Sequence, residues 1–488
     1  MSAIDTRIRE RALNSPDTPA LVIRSAADDA VWTWRELAAA TGHRAAALSE
    51  VAGDAPVAAT MATDNNAELV LELIAALRTD LPLGLHSRRA PAAEQDAFRS
   101  ALRRRGIQTL AWTDGRWLSD HPPPRTATRI PSQSVLLATG GSSGMPKIVV
   151  DNRMRDVARR PRPARASTAT NWRPRQHQLV LGPLHHTAAL TFFVEGLTDG
   201  NLLLLQRDFD PGDTLRLVDE WRVRWLQATP YHLRRLAASL RRSPYDLGSV
   251  RGLLHLGAPC PDDLKRFWLR QLEPGYVFEM YGATEGVGFT LVDGREWLRR
   301  PGTVGTGFFT QIRIYDDAGR RLRPHVDGLV HLRSATAGRA VYLDARHQVT
   351  GTPDGFVGLG DRGHLDDERY LFLRPRQIAH IQVGDLTVYP AEVESVLTAH
   401  PAVADAAVLG VPDDRLGEKL VALIVPVTGP VDPLLLRRYA RQALARHKVP
   451  RQFRFVSNLP YNDNGKLDRP RVADLCAAGE GHAAEVSP

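Results

Sequence analysis

The stretch RWLQATPYHLRRLAASLRRSPYDLGSVRGLLHLGAP, residues 224–259, decides the fold class. It opens on a short apolar run, RWLQATP, passes through YHLRRLAASLRR with apolar residues at helical spacing, and closes on a second apolar run, GLLHLGAP. Short apolar runs bounded by Gly and Pro read as buried strands, and the 3.6-residue period between them reads as a helix. Strand, helix and strand in that order make a crossover unit of a parallel sheet.

The same alternation extends on both sides. QLVLGPL and NLLLLQ read as further buried strands, and DTLRLVDEWRV and PDDLKRFWLRQL as helices between strands, over residues 179–375. Residues 1–130 mix helix and strand: VWTWRELAAATGHRAAALSE is an amphipathic helix after a short strand, and NNAELVLELIAALRTDL is another helix. After residue 376 the texture changes. PAEVESVLTAH reads as a helix, VADAAVLGVPDDRLGEKLVALIVPV as a two-stranded hairpin, and DPLLLRRYARQALARHKVP as an amphipathic helix. RQFRFVSNLPYNDNGKLDR then gives a strand and an exposed turn. The expected architecture is α/β: a large N-terminal domain, 1–375, of mixed and parallel sheets with flanking helices, and a small α+β domain, 376–488. Residues 159–176, RRPRPARASTATNWRPRQ, are basic and broken by proline, and read as a solvated surface loop.

Composition narrows the function. A hydrophobic fraction of 43% and a charged fraction of 24% are those of an ordinary globular protein. No apolar run reaches the roughly 20 residues of a membrane span, and the N-terminus lacks the apolar core of a signal peptide, so a cytoplasmic enzyme is expected. Two cysteines, Cys260 and Cys476, offer neither a disulfide framework nor a zinc site. The net charge of +8 raises nucleic acid as a partner, but only five of the 63 basic residues are lysines and no nucleic-acid motif appears. The charge suits general solubility and attraction for a polyanionic small molecule.

The chemistry gathers in short motifs. In LLATGGSSGMPK, residues 136–147, Gly140, Gly141 and Gly144 let backbone N–H groups approach phosphate oxygens, and Ser142 and Ser143 add hydroxyl donors. Met145 and Pro146 separate Gly144 from Lys147, which excludes the ordinary P-loop. A phosphate clamp and a plain flexible turn both fit this loop alone. YGATEG, 281–286, sets Tyr281 and Gly282 beside Thr284 and Glu285, a hard carboxylate suited to Mg²⁺ on nucleotide phosphates. GLGDRGHLD, 358–366, puts Asp361 in a glycine-rich turn that suits ribose hydroxyls, and NDNGKLDR, 462–469, presents Lys466 from a tight Asn-Gly turn. Taken singly, Tyr281 also fits a core aromatic, His186 a strand-end histidine and Asp361 a turn former.

In order, TGGSSGMPK, PLHH, GAP, YGATE, GDRGHLD, YPAEVE and NGKLDR resemble the adenylate-forming superfamily of acyl-CoA synthetases, peptide-synthetase adenylation domains and luciferases. The resemblance runs from about residue 20 to 471. It implies a large domain and a small mobile lid with the active site between them, and two half-reactions using ATP, Mg²⁺ and coenzyme A. By that resemblance Thr139, Gly140, Gly141, Ser142, Ser143, Gly144 and Lys147 would bind the β- and γ-phosphates. Glu285 would hold Mg²⁺ and Thr284 would contact the α-phosphate. Tyr281 and Gly282 would face adenine, with Gly257, Ala258 and Pro259 on its other side. Asp361 and Arg376 would bind ribose, Lys466 would bridge substrate carboxylate and α-phosphate, and His186 would sit at the mouth between acyl pocket and thiol tunnel.

The pattern departs from the family at Gly140 and Ile148 in the loop, and at Ala379 and Asp385 in the hinge. The expected function is an acyl-CoA ligase for a hydrophobic or bulky carboxylic acid, TAALTFFVEGL after PLHH suggesting an apolar pocket. The alternatives are a partial-reaction enzyme, forming only the thioester or only the adenylate, and a non-catalytic nucleotide- or acyl-binding protein. The expected partners are the acid or its adenylate and CoA, with no nucleic acid and no membrane span, in a monomer or homodimer.

Overall fold

A computed structural model describes residues 2–25, 29–55, 57–88, 92–119, 130–139, 147–161, 163–283, 286–334, 340–343, 351–374, 381–383, 386–388, 390–413, 417–429, 431–462, 467–478 and 482–485. The chain divides into two compact units, Met1–Pro259 with Phe267–Phe372, and Cys260–Arg266 with Leu373–Pro488.

The larger unit is built on two big sheets and a small one. The first sheet runs, edge to edge, Thr306–Gly307, Phe289–Asp293, Val277–Gly282, Gly252–Leu256, Trp225–Ala228, His177–Val180, Leu202–Gln206, Pro19–Arg24 and Asp29–Thr33. Its central strands are parallel, and the decisive 224–259 stretch supplies two neighbours, with Trp225 opposite Gly252 and Ala228 opposite His255. Helix Pro230–Leu240 is the crossover; Thr229 caps it and Pro230 starts it, where a missing N–H costs nothing. The second sheet runs Ala340–Tyr342, Lys147–Asp151, Val135–Thr139, Leu83–Ser87, Val57–Thr63, Gln108–Thr113 and Arg116–Ser119. A four-stranded antiparallel sheet, Thr310–Tyr315, Gly328–Ser334, Val357–Leu365 and Leu371–Leu373, completes the unit.

Between the two large sheets lies one apolar cluster. Helix Ala67–Arg78 is buried at every position from Leu69 to Arg78, as expected of a helix apolar nearly all round. Helix Thr187–Asp199 adds Leu190, Phe193, Val194 and Leu197, none with exposed surface, against Leu21, Leu203 and Leu205 of the first sheet and Ala59 and Leu85 of the second. Full burial of each such side chain contributes about 1.5–3 kcal/mol, so this layer fixes the spacing of the sheets.

The basic segment 159–176 differs from its sequence reading. Residues Arg165–Ala169 form a short helix, and Trp172 is only 1% exposed, edge-on to Trp225 at 4.8 Å. Trp172 Nε1–H donates to Asp199 Oδ2 at 2.7 Å, Ser167 Oγ–H to Glu195 Oε2 at 2.5 Å and Arg160 Nη1–H to Glu195 Oε1 at 3.3 Å. One buried tryptophan, the buried Glu195 carboxylate and the half-buried Asp199 carboxylate thus stitch an otherwise polar, proline-broken segment onto helix Thr187–Asp199. Burial pushes both the Glu195 and the Asp199 carboxyls above their ordinary range.

In the smaller unit, Val403–Asp413 and Gly417–Pro426 form the expected hairpin, extended by Ile381–Val383, Leu386–Val388, Gln452–Phe455 and His482–Glu485. Helices Pro390–Thr398 and Pro433–Ala443 pack with it around Val408, Ala422 and Phe453. No helix of the described residues is long and apolar enough to cross a membrane.

Candidate active site

Gly257–Pro259, Tyr281–Gly282 and His186 lie at or just beyond the carboxyl ends of the first sheet's parallel strands, where open α/β sheets bind ligands, whereas Thr139 and Lys147 belong to the second sheet and Asp361 to the four-stranded one. Leu256 and Met280 are register partners, so Gly257–Ala258–Pro259 and Tyr281–Gly282 leave adjacent strands side by side. Gly257 has φ +89°, a conformation that favours glycine, although a Cβ there would meet nothing closer than Thr229 Cγ2 at 3.8 Å. The strand His177–Val180 carries the PLHH segment at the same end, and the sheet order turns there: Leu202–Gln206 lies on one side of it and Trp225–Ala228 on the other.

Asp361 meets Tyr281 across 80 residues of sequence: Tyr281 Oη–H donates to Asp361 Oδ2 at 2.7 Å. Asp361 is not in a turn, as its glycines suggested. It lies within strand Val357–Leu365, 8% exposed. Leu329 pairs with Arg362 and His331 with Gly358, so Leu359, Gly360 and Asp361 together stand opposite Val330 alone. Gly360, at φ +78°, allows this bulge, which re-aims the carboxylate.

His186 is the N-cap residue of helix Thr187–Asp199, its ring 4.2 Å from that of His185. Residues that sequence reasoning missed hold this segment. Gln227 Nε2–H donates to Leu181 O, Asn65 Nδ2–H donates to Gly182 O at 3.2 Å, and Thr63 Oγ1 lies 3.2 Å from His185 Nδ1. Phe192 and Phe193, expected to line an acyl pocket, instead pack in the core. The half-buried side chains at the start of the helix are the small Thr187, Ala188 and Thr191.

His232 was also missed. The Thr229 N–H donates to its Nδ1 at 3.1 Å, which fixes the neutral ring with its proton on Nε2. Burial holds its pKa at about 4. Unfolded, the ring protonates below about 6.5; folded, it resists until about 4. Stability present above pH 6.5 is therefore lost as pH falls toward 4, by about 3 kcal/mol in all. His232→Asn retains an acceptor near the Nδ1 position and does not titrate. Its urea midpoint should fall much less than that of the wild type between pH 7.5 and 4.5; an equal fall in both would exclude this role.

The loop of residues 140–146 springs from a defined base, since Thr139 and Lys147 are register partners of adjacent antiparallel strands. Ile148 sits in the core with Phe98, Leu102, Ile107 and Leu136, 4% exposed, so its β-branch serves packing. In the smaller unit, Tyr461 bridges to Leu467 and the Asp468 N–H donates to Pro460 O at 2.9 Å, closing the base of the NGKLDR turn. Arg469 of that motif grips Glu394 through Nη1 at 2.7 Å and Nη2 at 2.9 Å. Gly140, Gly141, Ser142, Ser143, Gly144, Thr284, Glu285, Arg376, Ala379, Asp385 and Lys466 lie outside the described residues. Among the described residues no group of three or more His, Cys, Asp or Glu side chains could hold a metal ion.

A model of the AMP-binding enzyme family matches residues 90–342, and one of the AMP-binding enzyme C-terminal domain matches residues 392–466. The chain belongs to the AMP-binding enzyme family. It is an adenylate-forming enzyme of the acyl-CoA synthetase type, as its motif order implies. Among AMP-binding enzymes, a feruloyl-CoA synthase of an Amycolatopsis species is 31% identical over 362 residues, 72% of each chain. A 2-succinylbenzoate–CoA ligase of Bacillus pumilus is 26% identical over 494 residues, 95% of this chain and 96% of that one. The o-succinylbenzoate CoA synthetase of Bacillus subtilis, solved with its acyl-adenylate intermediate, superposes with a TM-score of 0.74 at 25% identity, covering 98% of this chain and 99% of its own. The same enzyme has been solved with ATP and magnesium ion, and superposes in that form with a TM-score of 0.73 at 25% identity over 96% of this chain and 99% of that one.

Proposed function

We propose that this AMP-binding enzyme activates a hydrophobic or bulky carboxylic acid and transfers its acyl group to coenzyme A. A carboxylate oxygen attacks the α-phosphorus of ATP and pyrophosphate leaves; the thiol sulfur then attacks the acyl carbon and AMP leaves. The observation that carries this reading is the Tyr281–Asp361 hydrogen bond at the strand ends that also bear Gly257–Pro259. It joins the proposed adenine and ribose contacts in one polar unit. On this reading Asp361 and Arg376 hold the ribose, Thr284 touches the α-phosphate, and the loop 139–147 takes the β- and γ-phosphates. Glu285 would hold Mg²⁺, which supplies charge neutralisation on the phosphates.

The small residues Thr187, Ala188 and Thr191 behind His186 leave room for a bulky acyl group. In the smaller unit, burial and the nearby Arg441, Arg451 and Arg446 lower the Arg437 pKa, the mark of crowded positive charge that suits an anionic thiol donor. Lys448, by contrast, is engaged by Glu392 at 2.7 and 2.8 Å.

The test supplies the purified chain with a panel of acids, ATP, Mg²⁺ and CoA, and reads pyrophosphate and acyl-CoA separately, with synthetic acyl-adenylates in parallel. At least one acid should give both products in equal amounts. Pyrophosphate without acyl-CoA would make it an adenylation-only enzyme, and acyl-CoA only from supplied adenylate the reverse. No turnover in any arm would favour a binding protein.

A further inference from the structure

We propose that the acyl site of this enzyme is shallow, closed by Phe192 at the depth of one aromatic ring, and that its substrate is a compact acid and not a long-chain fatty acid. The inference rests on the acyl-CoA ligase function proposed above and narrows its substrate class. It starts from one face of the first sheet. Leu256, Met280 and Leu291 are register partners on three neighbouring strands, and Gly282 and Phe289 pair one step nearer the carboxyl ends of the parallel strands. Side chains two apart along a strand share a face, so these residues line the same side of the sheet. Leu256, Met280, Leu291 and Phe289 are half-buried and Gly282 is exposed, which leaves an apolar surface partly open beside the proposed nucleotide contacts. Helix Thr187–Asp199 runs over this face, for Phe192 packs with Trp225, Leu254 and Phe278. Ala188, half-buried, lies one turn nearer the helix start on the same side as Phe192.

One step deeper the face closes. Leu254 and Phe278, two residues back along their strands, are buried, and Phe192 above them is 6% exposed. The Phe192 ring lies 4.9 Å from that of Trp225, and Trp225 lies 4.8 Å from Trp172. Neither indole swings aside without losing a hydrogen bond: Trp225 Nε1–H donates to Thr170 O at 3.1 Å, and Trp172 Nε1–H to Asp199 Oδ2 at 2.7 Å. Gly252 leaves the space that Trp225 fills, since a Cβ there would collide with Trp225 Cδ1. Phe192 is therefore the lid of a pinned three-ring plug. Backbone geometry sets the depth above it. From Gly282 to Met280, where the open part ends, is two strand residues, roughly 7 Å. From Ala188 to Phe192 is one helical turn, roughly 6 Å. Both lengths take one aromatic ring or an equally short chain. An extended hexadecanoyl chain is more than twice as long and would have to displace the plug.

Steady-state formation of acyl-CoA and pyrophosphate by the full chain, with ATP, Mg²⁺ and CoA, tests this on benzoic, 3-phenylpropenoic, hexanoic and hexadecanoic acids, the last kept below micellar concentration. The wild type should use at least one of the three short acids with a kcat/KM roughly 100-fold or more above that for hexadecanoic acid. Phe192→Ala should shrink this ratio roughly 10-fold or more, chiefly through the KM of the long acid, while the KM for ATP stays within about 3-fold. A ratio between two acids is insensitive to partial misfolding, because loss of active enzyme lowers both rates equally. Phe192→Leu, which keeps more of the buried volume, should move the ratio the same way by a smaller factor. A wild type that uses hexadecanoic acid as well as the short acids overturns the inference, and so does a ratio that neither substitution moves. A wild type that forms neither product with any of the acids removes the ligase function as well, which separates the two failures.

Discussion

Asp361→Ala is expected to lower kcat/KM for ATP in the adenylation step roughly 10²- to 10⁴-fold. Hydrogen bonds to a charged group contribute about 1.5–3 kcal/mol each, and a carboxylate holding both ribose hydroxyls makes two of them. The same substitution leaves Tyr281 Oη without the carboxylate that accepts from it at 2.7 Å, so the ring proposed to face adenine loses its anchor too. Tyr281→Phe isolates that second part and should cost about 10-fold or less. Analogues lacking the 2′- or 3′-hydroxyl decide the assignment. If Asp361 holds the ribose, the variant and the wild type should use the dideoxy nucleotide almost equally well. A full-sized difference persisting with that analogue would place the role of Asp361 in supporting Tyr281 alone. The unfolding midpoint should move little, because Asp361 sits at the strand bulge and not among the apolar side chains.

Lys466→Ala should reduce pyrophosphate formation roughly 10²- to 10³-fold, the usual loss when a single group aimed at developing negative charge is removed. Thioester formation from a supplied acyl-adenylate should survive, because that step no longer builds charge at a pentavalent phosphorus. Equal loss in both half-reactions would contradict the role assigned to this lysine. The turn that carries it has a defined base, the Tyr461–Leu467 bridge, and a firm exit, the Arg469–Glu394 pair. A change of residue inside the turn should therefore leave the smaller unit folded, and circular dichroism of the variant checks this.

The parallel sheet was legible because strands such as GLLHL and helices such as YHLRRLAASL carry opposite periods, and sheet ends collect ligands wherever strands run parallel. The motif letters likewise led to Tyr281 and Gly257–Pro259, which sit on adjacent strand ends. Other features were hidden because their cause lies far away in sequence. Trp172 looked like an isolated aromatic in a basic loop, and its partners Asp199 and Trp225 come from two separate elements. Phe192 and Phe193 follow PLHH directly, yet helical geometry turns them into the core. Ile148, which as a letter breaks the loop pattern, is a strand residue filling space beside Phe98 and Leu136.

The bulge at Asp361 has a bearing on how this gene tolerates small indels. Leu359, Gly360 and Asp361 occupy the space that Val330 alone faces, so the backbone there carries slack that a regular ladder lacks. Loss of the codon for Leu359 or Gly360 would let the two strands zip into a more regular ladder, with little harm to folding, while turning the carboxylate away from Tyr281. In a screen of in-frame deletions, such alleles should therefore be well expressed and inactive. They would be separable in this way from deletions in neighbouring regular strands, which should reduce the amount of protein itself.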